Sequence, residues 1–229
     1  IASSLVGSEM CIRDSINDYG FNPYSFIIGS MVIVWALRLG SFLFKRVKEV
    51  GKDVRFLEMK KDFFWFLMTW TLSGLWVFLT YAAGLLAMTS INLETTFSYY
   101  QYFCLIIGSS LWIIGFVIEA ISDHQKKIFR QNISNKGNFI KSGLWSWSRH
   151  PNYFGEIVLW TGIAVIALPT MIGFKYIVLI SPIFVYFLLT KISGIPMLEK
   201  SSDKKWGNDA DYLDYKKNTP ILFFKKPTL

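Results

Sequence analysis

Apolar and polar positions along this chain fall into long blocks, not short periods. Five apolar runs, about residues 24–44, 63–88, 97–121, 151–168 and 172–190, are separated by polar stretches. A hydrocarbon core about 30 Å thick needs about 20 helical residues at 1.5 Å rise each, and runs of this size meet that need. The first is interrupted by Arg38, the second, Phe63 to Met88, is aromatic-rich and uncharged, and the third is uncharged until Glu119. Backbone N–H and C=O groups in lipid must be paired within their own segment, so runs of this length predict helices. The expected fold class is all-α: a polytopic integral membrane helical bundle of about five spans. A single membrane domain over 16–229 is expected, with cytosolic loops 45–62 and 122–150 and a cytosolic tail 191–229.

Residues 1–15, IASSLVGSEMCIRDS, contain no apolar run of signal-peptide length and do not begin with methionine. They read as a non-native or unstructured leader, such as a translated library linker leaves, so a truncated N-terminus is expected. In the tail, SSDKKWGNDAD reads as a loop, DYLDYKK as a short helix or turn, and ILFFKK as an interfacial anchor. Asn135, Lys136 and Gly137 mark a turn in the long loop.

Composition agrees with the block pattern: 52% of the 229 residues are hydrophobic and 17% charged. The formal charge of +8 raises nucleic acid as a partner, but the basic residues lie in the gaps between apolar runs. Anionic lipid or a phosphorylated small molecule fits that distribution better, and no nucleic-acid partner is expected. Charge also gives a sidedness. The loop after the first span carries seven basic and four acidic residues, and the 122–150 loop six basic residues against Asp123, while the N-terminal segment and the connector bearing Glu94 are net negative. By the positive-inside rule the N-terminus lies outside and the C-terminus in the cytosol, which suits a bacterial inner membrane. Two cysteines and two histidines, His124 and His150, offer no ligand spacing, so no metal is expected.

Candidate chemistry concentrates in Lys141 to Trp160, KSGLWSWSRHPNYFGEIVLW. Proline is favoured at the first helical position, so Pro151 predicts a helix start with His150 as the N-cap. The unpaired N–H groups of that terminus, beside Arg149 and His150, make an anion-binding arrangement. Asn152 and Glu156 are four apart and share one face. An ionised Glu156 among Phe154, Ile157, Val158 and Leu159 needs a partner; a nucleotide is one reading, and an ion pair with Arg38 is another. Arg38 itself reads equally as a snorkelling or structurally paired residue and as part of a site. Glu119, Asp123, Lys127 and Arg130 recur along one helix face toward the cytosol, as a site or as a solvated helix end. Trp145, Trp147 and Tyr153 offer stacking surfaces, which is also the composition of a membrane-boundary aromatic belt. Glycine-rich phosphate loops and nucleophile elbows are absent from the sequence.

SGLWSWSRHPNYFGEIVLW, then GIPMLEK, then DYLDYKKNTP resemble the membrane reductase family that contains the steroid 5-alpha-reductases, over about Gly115 to Pro220. The resemblance implies an NADPH site in which Asn152 and Glu156 hold the dinucleotide, with Glu119, Asp123, Lys127 and Arg130 matching an upstream set. Glu119 stands where the family has asparagine. Arg149, His150, Tyr153 and Trp145 complete the expected cofactor-binding residues. The implied reaction is hydride transfer to the C=C of a lipophilic enone, steroid-like or another isoprenoid lipid, which enters from the bilayer. No residue matches the family's substrate-activating glutamate and tyrosine. The block is also similar to that of isoprenylcysteine carboxyl methyltransferases, which implies S-adenosylmethionine as the alternative cofactor. A non-catalytic lipid-binding protein that keeps the fold is a third reading.

Overall fold

A computed structural model describes residues 23–50, 62–90 and 98–227. Helix accounts for 83% of the described residues and none is in a strand. The helices are α1, Pro23–Val50; α2, Phe63–Thr89; α3, Tyr99–Gln131; α4, Pro151–Ala167; α5, Ile180–Phe187; α6, Ile195–Trp206; and α7, Ala210–Asn218. Among the described residues five helical stretches are long and apolar enough to cross a membrane: Tyr24–Lys45, Phe63–Thr89, Tyr99–Gln131, Pro151–Thr170 and Gly173–Trp206. The chain is an all-α integral membrane protein. The expected leader at 1–15, most of the first loop and the connector bearing Glu94 lie outside the described residues.

The chain divides into two compact units. One comprises 1–104 and 166–181. In it the start of α1 packs on the end of α2: the Ser25 hydroxyl donates to the Met88 carbonyl at 2.8 Å, and Tyr24 and Ile28 are buried, as are Ala83 and Ala87. Small residues at 80, 83, 84 and 87 line the buried face of α2. Toward its N-terminus α2 leaves large apolar side chains such as Phe64 and Trp70 exposed. An acyl-chain environment suits them, whereas water would not.

The other unit comprises 105–165 and 182–229, and its axis is the pair α3 and α4. A buried stripe of Gly108, Trp112, Gly115, Glu119 and Ser122 runs down α3 at spacings of three and four. The backbones of the two helices touch through glycines at two levels. A Cβ at Gly155 would lie 2.6 Å from the Gly115 carbonyl oxygen and 2.7 Å from the Glu119 nitrogen. One at Gly162 would lie 2.6 Å from the Gly108 carbonyl oxygen. Only a residue without a side chain permits this approach, a common device where lipid provides no hydrophobic drive for association.

Several segments differ from the expected outline. The third helix continues past its apolar run to Gln131. The fifth span is irregular: a 3-10 segment Gly173–Leu179 containing Lys175, then α5, then a π-helical turn Leu188–Ile192. Ser201 to Trp206, expected in a loop, belongs to α6. Pro196 opens that helix, and Glu199 and Asp203, one turn apart, both find partners outside it, which holds the polar turn in helical form. DYLDYKK lies within α7, whose N-cap Asp209 accepts from the Asp211 amide. The turn at Asn135–Gly137 is present, with Gly137 at φ +93.

Gly162→Ala should force α3 and α4 apart and lower stability by about 1–3 kcal/mol, the usual cost of overpacking. Gly40→Ala, where nothing lies within 4 Å of the added Cβ, should leave stability level. Thermal unfolding of the detergent-solubilised variants checks both.

Candidate functional site

The polar ends of α3 and α4 are joined by residues 132–150, and this segment is tied down residue by residue. Gly143, at φ +63, turns the chain against Gln125, whose side-chain oxygen accepts from the Leu144 amide at 3.0 Å. That turn drives Trp145 inward to 3% exposure, where its indole N–H donates to the Ser122 carbonyl at 3.1 Å and Lys126 sits 4.3 Å over its ring. The Tyr215 hydroxyl donates to the Trp145 carbonyl at 2.6 Å from the outside. Burial holds the Tyr215 phenol above its usual range and pushes Tyr212 up to about 12, assisted there by the Asp203 carboxylate that its hydroxyl bonds. Both remain hydroxyl donors at any physiological pH.

The tail supplies further backbone partners. The Arg149 amide donates to the Pro220 carbonyl at 2.9 Å and the Lys225 amide to the Trp147 carbonyl at 3.1 Å. The Ser148 hydroxyl donates to the Leu222 carbonyl at 2.8 Å and accepts from the His150 amide at 3.2 Å. ILFFKK, expected as an interfacial anchor, therefore runs beside residues 147–149, because these loop backbone groups need partners that no helix or sheet provides.

Pro151 then opens α4, and the His150 carbonyl accepts from the Phe154 amide at 3.2 Å, as an N-cap residue's does. The His150 side chain does not cap. Its Nε2 lies 2.8 Å from Glu199 Oε1 on α6, while Arg149 Nη1 lies 2.5 Å from Glu199 Oε2. One carboxylate thus holds both basic residues. Lys216 approaches the same carboxylate at 3.9 Å and bonds Asp203 at 2.5 Å, giving the cluster a second layer. The His150 ring stacks on Tyr153 of the first turn at 5.7 Å and 10°. Gly194, where a Cβ would meet Tyr153 at 3.1 Å, allows α6 to begin close enough for Glu199 to arrive. Burial holds the His150 imidazole below its ordinary pKa, with the Glu199 hydrogen bond opposing and the Lys126 and Arg149 charges assisting.

The expected site residues fall in four places. Arg149, His150 and Tyr153 gather around Glu199. Trp145 lies with Lys126. Glu119, 4% exposed, is brought beside the Gly155 turn, next to the half-buried Glu156 and one turn from Asn152. Asp123 and Lys127 are half-buried on the following turns of α3, and Arg130 is exposed. Glu199 was not among the residues singled out. Its signal was an acidic residue close behind the last apolar run, opposite a loop carrying six basic residues, and its partner 50 positions away gave no local pattern. Among the described residues no group of three His, Cys, Asp or Glu side chains is arranged to hold a metal.

Fold and site together define a polytopic helical membrane protein with a buried polar cluster at the common end of two of its spans. The chain belongs to the family described as "Protein of unknown function (DUF1295)", which matches residues 12–219. It is 36% identical over 62 residues to the mouse 3-oxo-5-alpha-steroid 4-dehydrogenase 1, a match covering 27% of this chain and 24% of that protein. It is 25% identical over 223 residues to a probable 7-dehydrocholesterol reductase of Acanthamoeba polyphaga mimivirus, covering 89% of this chain and 46% of the relative. A probable O-methyltransferase, ustE, of Ustilaginoidea virens is 34% identical over 58 residues, 25% of this chain and 20% of its own. The chain therefore spans less than half the length of each of these relatives. No solved structure matches.

The depressed His150 pKa carries a stability prediction. Because the folded value lies below the unfolded 6.5, the unfolded state takes up the proton first. The contribution is complete above 6.5 and is lost as pH falls through the folded value. The thermal midpoint, followed from about pH 8 to about pH 5, should drop further for the wild type than for His150→Gln.

Proposed function

We propose that this chain is a membrane-embedded NADPH-dependent reductase that delivers hydride to the C=C of a lipophilic enone, a 3-oxo-4-ene steroid or another isoprenoid lipid. The observation that carries the reading is the crossing of α3 and α4, which sets the buried Glu119 against the turn bearing Asn152 and Glu156 in a chain similar to two sterol-type oxidoreductases.

The residues present suit a dinucleotide. Lys126, Lys127 and Arg130 occupy the last turns of α3 and are the basic residues suited to its phosphates. The start of α4 adds amide donors and a partial positive charge. The Asn152 carboxamide and the Glu156 and Glu119 carboxylates match the hydrogen-bonding edge of a nicotinamide half, and the His150 Nδ1, buried and without a hydrogen-bond partner among the described residues, accepts one more ligand N–H or O–H. When bound, NADPH supplies the hydride. The chain's own residues bind and orient it: α4 fixes Asn152 and Glu156 on one face, and the apolar body of that helix keeps water from the reacting end. Asp123 takes a positioning part beside Lys127 and Arg130, and Trp145 supports Lys126 from beneath. In this reading the lipid substrate enters from the bilayer and the nucleotide from the cytosol, with the N-terminus outside a bacterial inner membrane. The concentration of basic residues at the α3 end and in the tail supports that sidedness, against Lys175 alone near the opposite connector.

Methyl transfer from S-adenosylmethionine is the second reading, favoured by the similarity to the fungal O-methyltransferase. Tryptophan fluorescence of purified protein titrated separately with the two cofactors separates them. Saturable quenching by NADPH is expected, and a response to S-adenosylmethionine alone would overturn the reductase reading. Glu156→Gln should raise the NADPH dissociation constant by about tenfold, the scale of one hydrogen bond to a charged group, with helix content and expression unchanged. Loss of folding without a change in affinity would make Glu156 a structural residue.

A further inference from the structure

Three side chains around Glu199 fix more than a salt bridge. Its carboxylate bonds Arg149 and His150 together and has Lys216 at 3.9 Å, so its charge is matched from three sides. An ionised carboxylate can only accept hydrogen bonds, so the His150 nitrogen that faces it, Nε2, must carry a proton. The ring is 5% exposed, and its surroundings favour the neutral form. A neutral imidazole protonated on Nε2 has a lone pair on Nδ1. That atom is buried and has no hydrogen-bond partner among the described residues. The ring lies flat on Tyr153 of the first turn of α4, so this open acceptor belongs to the helix terminus where the ligand is proposed to bind.

We propose that Glu199 is a positioning residue of this site: it holds Arg149 and His150 side by side and fixes His150 as the Nε2–H tautomer, so that Nδ1 is presented as an acceptor to a ligand hydroxyl or amide N–H. The inference rests on the nucleotide reading of the α4 terminus. It also revises the expectation that His150 helps bind an anion. A neutral ring with a lone pair outward repels phosphate oxygen and selects a donor, which a ribose hydroxyl or a carboxamide provides. Arg149, bonded to Glu199 through its guanidinium, serves to seat that carboxylate.

The protein has two histidines, so histidine labelled with nitrogen-15 in the ring gives two spin systems, and His124→Gln, at an exposed position, assigns them. Wild-type protein in detergent should show His150 protonated on Nε2 and bare on Nδ1 at neutral pH. Glu199→Leu should release it to a mixture of tautomers and weaken binding of NADPH by up to about tenfold, the scale of a lost hydrogen bond between neutral groups. Glu199→Gln retains an oxygen acceptor for Nε2–H while removing the charge, so it should keep the tautomer with an intermediate loss of affinity, and it provides the test if the leucine variant does not fold. Lys217→Gln, at an exposed position that takes no part in the cluster, should bind as wild type. A mixed tautomer in the wild type, or NADPH affinity equal in wild type and both Glu199 variants, would overturn the proposal. Wild-type protein that binds neither NADPH nor S-adenosylmethionine would instead remove the reading beneath it, an outcome distinct from Glu199 variants that match a binding-competent wild type.

Discussion

The contact on which this arrangement depends is backbone against backbone, where α3 crosses α4 at Gly115 with Gly155 and again at Gly108 with Gly162. Within lipid, apolar side chains gain little by meeting one another, so helix pairs are held by close packing, and closeness requires small residues. The glycines on each helix are seven apart, two turns, which keeps both contacts on one face. Register follows from this. One turn beyond Gly115, Glu119 reaches the Gly155 level, and one turn further the Ser122 carbonyl meets the Trp145 indole. A slip of either helix by one residue would replace a glycine by a side chain and misalign every polar residue at that end.

Beyond the membrane pair, order comes from tail against loop. Residues 132–150 contain only two short 3-10 turns, and their polar backbone groups are met one at a time from elsewhere in the chain. Trp206 donates to the Gly137 carbonyl, Lys141 pairs with Asp211, and Phe139 sits among Trp206, Tyr212 and Tyr215. Leu222 is buried beside Ser148, and Phe224 packs edge-on against Phe154. Loop and tail are therefore one structure, and the Arg149, Glu199 and His150 cluster is its junction with α4. A half-buried arginine left unpaired there would be strongly unfavourable, so each partner requires the other.

What could be read from the sequence followed the constraints that act locally. The bilayer demands apolar runs of set length, so the spans were visible without any knowledge of contacts. Pro151 announced the start of α4, and Asn135 to Gly137 announced a turn. The shared face of Asn152 and Glu156 on α4, and that of Glu119, Asp123, Lys127 and Arg130 on α3, follow from helical spacing, whereas a cofactor role for them came only from the resemblance. Long-range pairing was not. Nothing near Glu199 in sequence indicates that its partners are Arg149 and His150, and a run such as Ser201 to Trp206 is polar enough to read as a loop until its contacts with α7 are known. Trp145 was legible as an aromatic at a boundary, but its burial depends on the positive φ of Gly143 and on Gln125, eighteen residues before that glycine. The glycine pairs were equally hidden, since a glycine in a membrane helix takes its meaning from what lies opposite.

On the proposed reading of the α4 terminus as a nucleotide site, the distribution of charge there bears on which cofactor fits. Arg149 is bonded to Glu199 through its guanidinium, and positive charge there also comes from the helix amides and, on α3, from Lys126, Lys127 and Arg130, each of which has interactions of its own. His150, neutral and bonded on one side, adds an acceptor instead of a charge. A ligand that suits both features carries negative charge toward α3 and hydroxyl or amide donors toward α4, two ends separated along one molecule. A dinucleotide has that division. S-adenosylmethionine has hydroxyl and amine donors but no phosphate for the α3 residues, so the same geometry that leaves His150 indifferent between the two cofactors makes the basic turns of α3 the feature that discriminates.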